Sequence, residues 1–179
     1  MIEPVKNNIN FKSDLPVTAV NVSEHDKQKA LAVLQNTALP TTRVESWKYT
    51  RVSKLGKIDF VNHNAVINDI SSYVIDDTNC SFVFINGHFS KEHSSQEIPT
   101  GVTTTLLSEI NNPLAASSLK IDDDVFNAMN TAHLTGGIQI NIASNALVET
   151  PIQIIHILKG DYILSNFKTI VNAEKSSQA

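Results

Sequence analysis

Gly136-Gly137-Ile138-Gln139-Ile140-Asn141-Ile142 decides the fold class. Isoleucines alternate with polar residues at a period of two, so one face of an extended chain is apolar and the other wet, which is a half-buried strand. Two further apolar stretches follow: Ile152, Ile154, Ile155 and Ile157 after Pro151, then Phe167, Thr169, Ile170 and Val171. Asn-rich or Gly-containing corners separate them. Strands at intervals of about a dozen to a score of residues suit a sandwich, or successive sides of a parallel β-helix in which side-chain rows stack from coil to coil. Periodicity alone does not choose between the two.

Upstream of this stretch, Ser81 to Ile85 is a compact apolar strand, and Asn86-Gly87 supplies the pair of positive-φ residues that a type I′ hairpin requires. His88, Phe89 and Ser90 begin the returning strand. Val102 to Leu106 reads as another strand, and Leu107 to Ile110 as a helical turn. Asp122, Asp123 and Asp124 stand where acids cap a helix carrying Val125, Phe126 and Met129 toward Leu134, with Gly136-Gly137 expected to end it. Nearer the N-terminus, Ser23-Glu24-His25-Asp26 starts a helix with Ala30, Leu31 and Leu34 on one face, stopped by Pro40. Thr42 and Glu45 have capping-box spacing, and Val44 and Trp47 then share a face, which predicts a short helix anchored by Trp47. Val66, Ile67, Ile70, Tyr73 and Val74 admit a small helix or a strand pair.

Composition sets outer bounds. The 179 residues are 41% hydrophobic and 18% charged, enough for a core, and the 34 Ile and Val residues favour pleated structure. The 18 Asn residues suit tight corners. A net charge of −4 without a basic run argues against a general nucleic-acid binder. The first thirty residues lack the basic and apolar regions of a secretion signal, and no stretch is long enough to span a bilayer, so a soluble, cytoplasmic protein is expected. Cys80 is the only cysteine, which excludes an intramolecular disulfide.

Catalytic and metal-binding chemistry has little footing. One thiol cannot hold a cluster, so Cys80 reads as a structural thiol at the edge of an apolar strand. His88, His93, His133 and His156 match no metal-ligand spacing; His88 and His93 are expected to be exposed beyond the hairpin, and His156 to point outward from its strand or to accept one backbone bond. The aspartates at 122–124 are better explained as helix caps than as a Mg²⁺ or Ca²⁺ site. Gly136-Gly137 is not followed by Lys-Ser/Thr, so it is not a phosphate loop, and no nucleophile elbow or carboxylate pair is present. Trp47 reads as core, with a partner-facing patch of Trp47 and Tyr49 as the other reading. No catalytic, cofactor-binding or metal residue is assigned.

Three segments, in order and in spacing, resemble the SufD members of the SufB/SufD family. Pro40 to Thr50 is similar to that family's P-T-x-[KR]-x-E-x-W-[KR]-Y-T stretch, and Phe84 to Ser90 to its F-V-N-G-x-F-S hairpin. Phe126 to Ala132, Gly136-Gly137-Ile138 and Val148 to Ile157 match the run at the start of its β-helix, with Met129 replacing the usual Leu and Gly136 the usual Asp. The resemblance covers about residues 23 to 179. It implies an α+β, mainly β fold: a small N-terminal helical region (23–56) after a mobile leader (1–22), a mixed region with the hairpin (57–135), and the first coils of a right-handed parallel β-helix (136–179). It also implies a non-catalytic scaffold for iron–sulfur cluster assembly, with SufB and the ATPase SufC as partners of the complete protein. The cluster is then handled by the whole complex, and no ligand to it falls in this chain. The sequence looks truncated a coil or so into the β-helix, so self-association through Phe167 to Ala173 is expected. The competing classes are a β-helix carbohydrate-active enzyme, which would need a charged groove or a hexapeptide repeat, and a β-sandwich binding module.

Overall fold

A computed structural model of the chain describes residues 20–75, 80–114 and 124–179. Most of the expected leader, residues 76–79, and Asp122 and Asp123 lie outside the described residues.

Helix α1 (Glu24–Asn36) begins where expected: Ser23 Oγ accepts the Asp26 backbone N–H at 3.1 Å, and Glu24 and Asp26 sit at the positive end of the helix dipole. Helix α2 (Val125–Ala132) is capped by Asp124, whose Oδ1 accepts from the Phe126 and Asn127 backbone N–H groups at 2.8 and 3.2 Å. The strands are β1 (Cys80–Ile85), β2 (His88–Phe89), β3 (Val102–Leu106), β4 (Leu134–Ile142), β5 (Ile152–Ile157) and β6 (Asn166–Ala173). Asn86 and Gly87 carry φ of 50° and 86°, and the hairpin closes with Phe84 opposite Phe89 and Ile85 opposite His88.

The strands form two three-stranded sheets, ordered β2-β1-β5 and β3-β4-β6. In each sheet one pair is antiparallel, β1 with β2 and β3 with β4, and one is parallel. Cys80 faces Ile152 along β1 and β5; Ile138 faces Thr169 along β4 and β6. Apolar residues fill three zones. Phe82, Phe84, Ile138, Ile140 and Ile142 lie between the sheets. Alternation then puts Val83, Ile85, Ile155 and Ile157 on the opposite face of β1 and β5, packed under Ala65, Ile67 and Ile70. Ala30 of α1 and Ala128 and Ala132 of α2 pack with Leu107, Leu134 and Ile170, so the helices cover the outer face of the other sheet.

Two local expectations are corrected. Instead of a helix from Thr42, the chain makes a single 3-10 turn, Glu45–Trp47, with no side-chain cap. A tertiary contact sets this turn, since the Trp47 ring stacks on Phe126 of α2 with centroids 5.0 Å apart. Gly136-Gly137 does not end α2; both residues lie inside β4, which starts at Leu134. A Cβ at 136 would run into the Gly87 carbonyl oxygen, and one at 137 into the Lys168 carbonyl oxygen, so the strand passes only as glycine. The end of α2 is instead held by buried Asn166, whose Nδ2 donates to the His133 carbonyl at 3.1 Å and to that of Met129 at 3.4 Å. Among Val66 to Val74, only Ser71–Tyr73 is regular, as a 3-10 turn.

Candidate functional site

The alternation of β5 and β6 builds one apolar face that the described residues cover only in part. Ile152 and Ile154 of β5, with Phe167 of β6, turn toward the zone between the sheets. Val171 follows on the same row of β6 by alternation and is 57% exposed. Between these last strands lies an open, mostly apolar groove of about 400 Å³, lined by Ile140, Ile142, Val148, Ile152, Ile154 and Val171.

His156 stands at one end of this face. It lies opposite Phe84 in the parallel register, and its ring sits 5.8 Å from Phe84 and 4.2 Å from Phe167 between centroids. His156 is exposed, although the β1–β5 register places it on the same row as Phe84 and its ring rests against Phe84 and Phe167. One side of the ring remains open to solvent, and the aromatic neighbours withdraw the rest from water, holding its pKa below that of a free imidazole.

The remaining histidines lie elsewhere. His88 is half-buried rather than exposed, and Asn62 explains it: Asn62 Nδ2 donates to the carbonyls of Asn86 at 3.0 Å and Leu164 at 2.7 Å. Its Oδ1 is then an acceptor, and His88 Nε2 donates to it at 2.8 Å. His93 is also half-buried, with Nδ1 2.8 Å from Ser90 Oγ. Burial at the end of α2, with Lys27 nearby, lowers the pKa of His133 to about 4. Cys80 is buried, and desolvation pushes its thiol pKa up, against both thiolate chemistry and metal binding. Among the described residues, no group of three or more His, Cys, Asp or Glu side chains is placed to hold a metal ion. No described helix is long and apolar enough to cross a membrane.

Two features escaped the sequence reading. Asn86, assigned only to its turn, is wholly buried and acts as a clamp: its Nδ2 donates to the His63 and Lys159 carbonyls at 3.0 Å, and its Oδ1 accepts the Lys159 N–H at 2.8 Å. No local pattern distinguishes it from an ordinary hairpin asparagine. The other is a positive segment. Five of the 14 Lys and Arg residues fall between Arg43 and Lys57, interleaved with other residues so that no run forms, and a windowed charge count would have found them.

A family model described as the SufBD protein N-terminal region matches residues 10–154. The chain belongs to the SufBD family. It is also 30% identical over 149 residues to an iron–sulfur cluster assembly SufBD family protein of Synechocystis sp.. That match takes in 77% of this chain and 33% of the relative, so the chain spans about a third of the SufBD protein it resembles. The matched region includes the hairpin, both helices, β4 and the start of β5.

Proposed function

We propose that this chain is the leading part of a non-catalytic scaffold subunit for iron–sulfur cluster assembly, of the SufD kind, and that its isoleucine-rich tail winds as the first coils of a right-handed parallel β-helix. The observation that carries the winding is a repeat of strand and corner at one spacing. Ile138 pairs with Thr169, and Asn145 and Ser176, at φ of 60° and 62°, are set apart by the same interval of about 31 residues. Leu147 bridges Gln178 in parallel, and the Val148 N–H donates to the Gln178 carbonyl at 2.8 Å, so the second corner lies on the first. Parallel crossovers are right-handed in about 98% of cases, which supports the hand.

Family membership and the name of the Synechocystis relative support the assembly role. In that role the cluster is cargo of the complete complex, later coils pair with SufB, and a C-terminal helical segment docks SufC in the cytoplasm. The antiparallel β3–β4 pair favours a second reading, a small two-sheet binding module, which predicts no such partners. The deciding experiment is anaerobic co-purification of the full-length gene product with SufB and SufC. A stable ternary complex is expected, and its absence overturns the scaffold reading. The exposed row of β6 also supports self-association of this chain through Phe167–Ala173. Sedimentation velocity should show dimers or larger species that Val171→Glu dissolves; a monomer at high concentration refutes it.

A further inference from the structure

We infer that the segment from Arg43 to Lys57 is a docking surface for an acidic stretch of another protein. It holds Arg43, Lys48, Arg51, Lys54 and Lys57 against one carboxylate, Glu45, while the rest of the chain carries nine cations and seventeen carboxylates. The segment is thus a positive island on a negative molecule. All five cations are exposed. Lys48 reaches Glu45 only at 4.0 Å, and no ion pair to Arg43, Arg51, Lys54 or Lys57 is present among the described residues. A patch left unneutralised by its own chain attracts a complementary one.

Solvated charge does not account for the apolar groups set among these cations. Tyr49 is 91% exposed and Val44 46% exposed. Exposed tyrosine beside arginine is the composition of a protein-recognition surface. The segment is also anchored: its first 3-10 turn, Glu45–Trp47, is held against α2 by the Trp47–Phe126 stack, and a second, Ser53–Lys57, follows it. That stack occupies one face of Trp47, and the Lys48 ammonium lies over the Tyr49 ring at 5.6 Å from its centroid, whereas a nucleic-acid strand needs successive free rings. A long polyanion would also meet the seventeen outlying carboxylates, and a short acidic peptide would meet the island alone.

Trp47 is the only tryptophan, so its emission reports on the segment directly. The intact chain is titrated with a short glutamate oligopeptide and, separately, with oligo-dT of matched charge. The glutamate peptide should shift Trp47 emission, with binding that weakens from roughly 50 to 200 mM salt. The double variant Arg51→Glu/Lys54→Glu should weaken binding by about tenfold or more, and Tyr49→Ser should weaken it too. The control Lys91→Glu/Lys175→Glu, exposed cations outside the segment, should bind like the parent, with circular dichroism verifying the fold of each variant. Equal or tighter binding of oligo-dT, or an equal loss in the control, overturns the inference. So does a parent oligomer that Arg51→Glu/Lys54→Glu converts to monomer, since a second copy would then be the occupant. The outcome does not depend on the scaffold reading, because neither SufB nor SufC takes part in it.

Discussion

Replacing Asn86 should reveal how much the corner clamp contributes. Its side chain makes three hydrogen bonds that tie the hairpin tip to His63 on one side and Lys159 on the other. At about 1 kcal/mol net for each buried bond, Asn86→Gly should cost about 3 kcal/mol, since glycine keeps the positive φ of the turn and removes only the bonds. Asn86→Ala loses the same bonds and adds a left-handed penalty of about 1 to 2 kcal/mol. In a domain whose total stability is about 5 to 15 kcal/mol, either loss is large. Urea unfolding followed by both circular dichroism and Trp47 emission gives the comparison, and a melting shift of about 6 to 12 °C is expected for the glycine variant. A glycine variant within about 1 kcal/mol of the parent would refute the clamp, because the turn alone would then account for the residue.

Gly136→Ala should be among the most damaging small substitutions, because its Cβ meets backbone rather than a movable side chain; a thermal melt indistinguishable from the parent would show that β4 can move away from Gly87. His133 gives a pH dependence of definite sign. Its folded pKa of about 4 lies below the ordinary 6.5, so between those values the unfolded chain binds the extra proton and stability falls as pH falls. About 2 kcal/mol should be lost between roughly pH 7 and 5, with half-buried His88 adding in the same direction, and denaturant titrations of His133→Gln should show a flatter slope. Cys80 should react with a thiol reagent such as Ellman's only once the protein is unfolded; complete labelling of the native chain within seconds would contradict its burial.

Local chemistry was legible wherever neighbours in sequence determine it. The Ser23 and Asp124 caps, the Asn86-Gly87 turn and the alternation of Ile138, Ile140 and Ile142 all follow from residues within a few positions of each other. What stayed hidden depends on distant partners. Gly136 and Gly137 look like a helix terminator until the strand is found to pass Gly87 and Lys168. Trp47 looks like the anchor of its own helix until Phe126 takes the ring and leaves a single turn. His156 shares its strand with Ile155 and Ile157, and only pairing with β1 reveals which way it faces. The same limit applies to the candidate site, because the apolar rows of β5 and β6 are visible in sequence but the groove between them is not.

The two parallel pairings enclose very different lengths of chain, and this has a consequence for how the molecule assembles in time. Bringing Ile138 to Thr169 closes about 31 residues and bringing Cys80 to Ile152 about 72, a difference worth roughly 0.8 kcal/mol of closure entropy. In the complete chain the β4–β6 pair should therefore nucleate, and during synthesis β1 leaves the ribosome well before β5 and waits for it. Until then Phe82 and Phe84 lack their parallel neighbour, which makes the first half of the chain the stretch most in need of protection by a chaperone during synthesis.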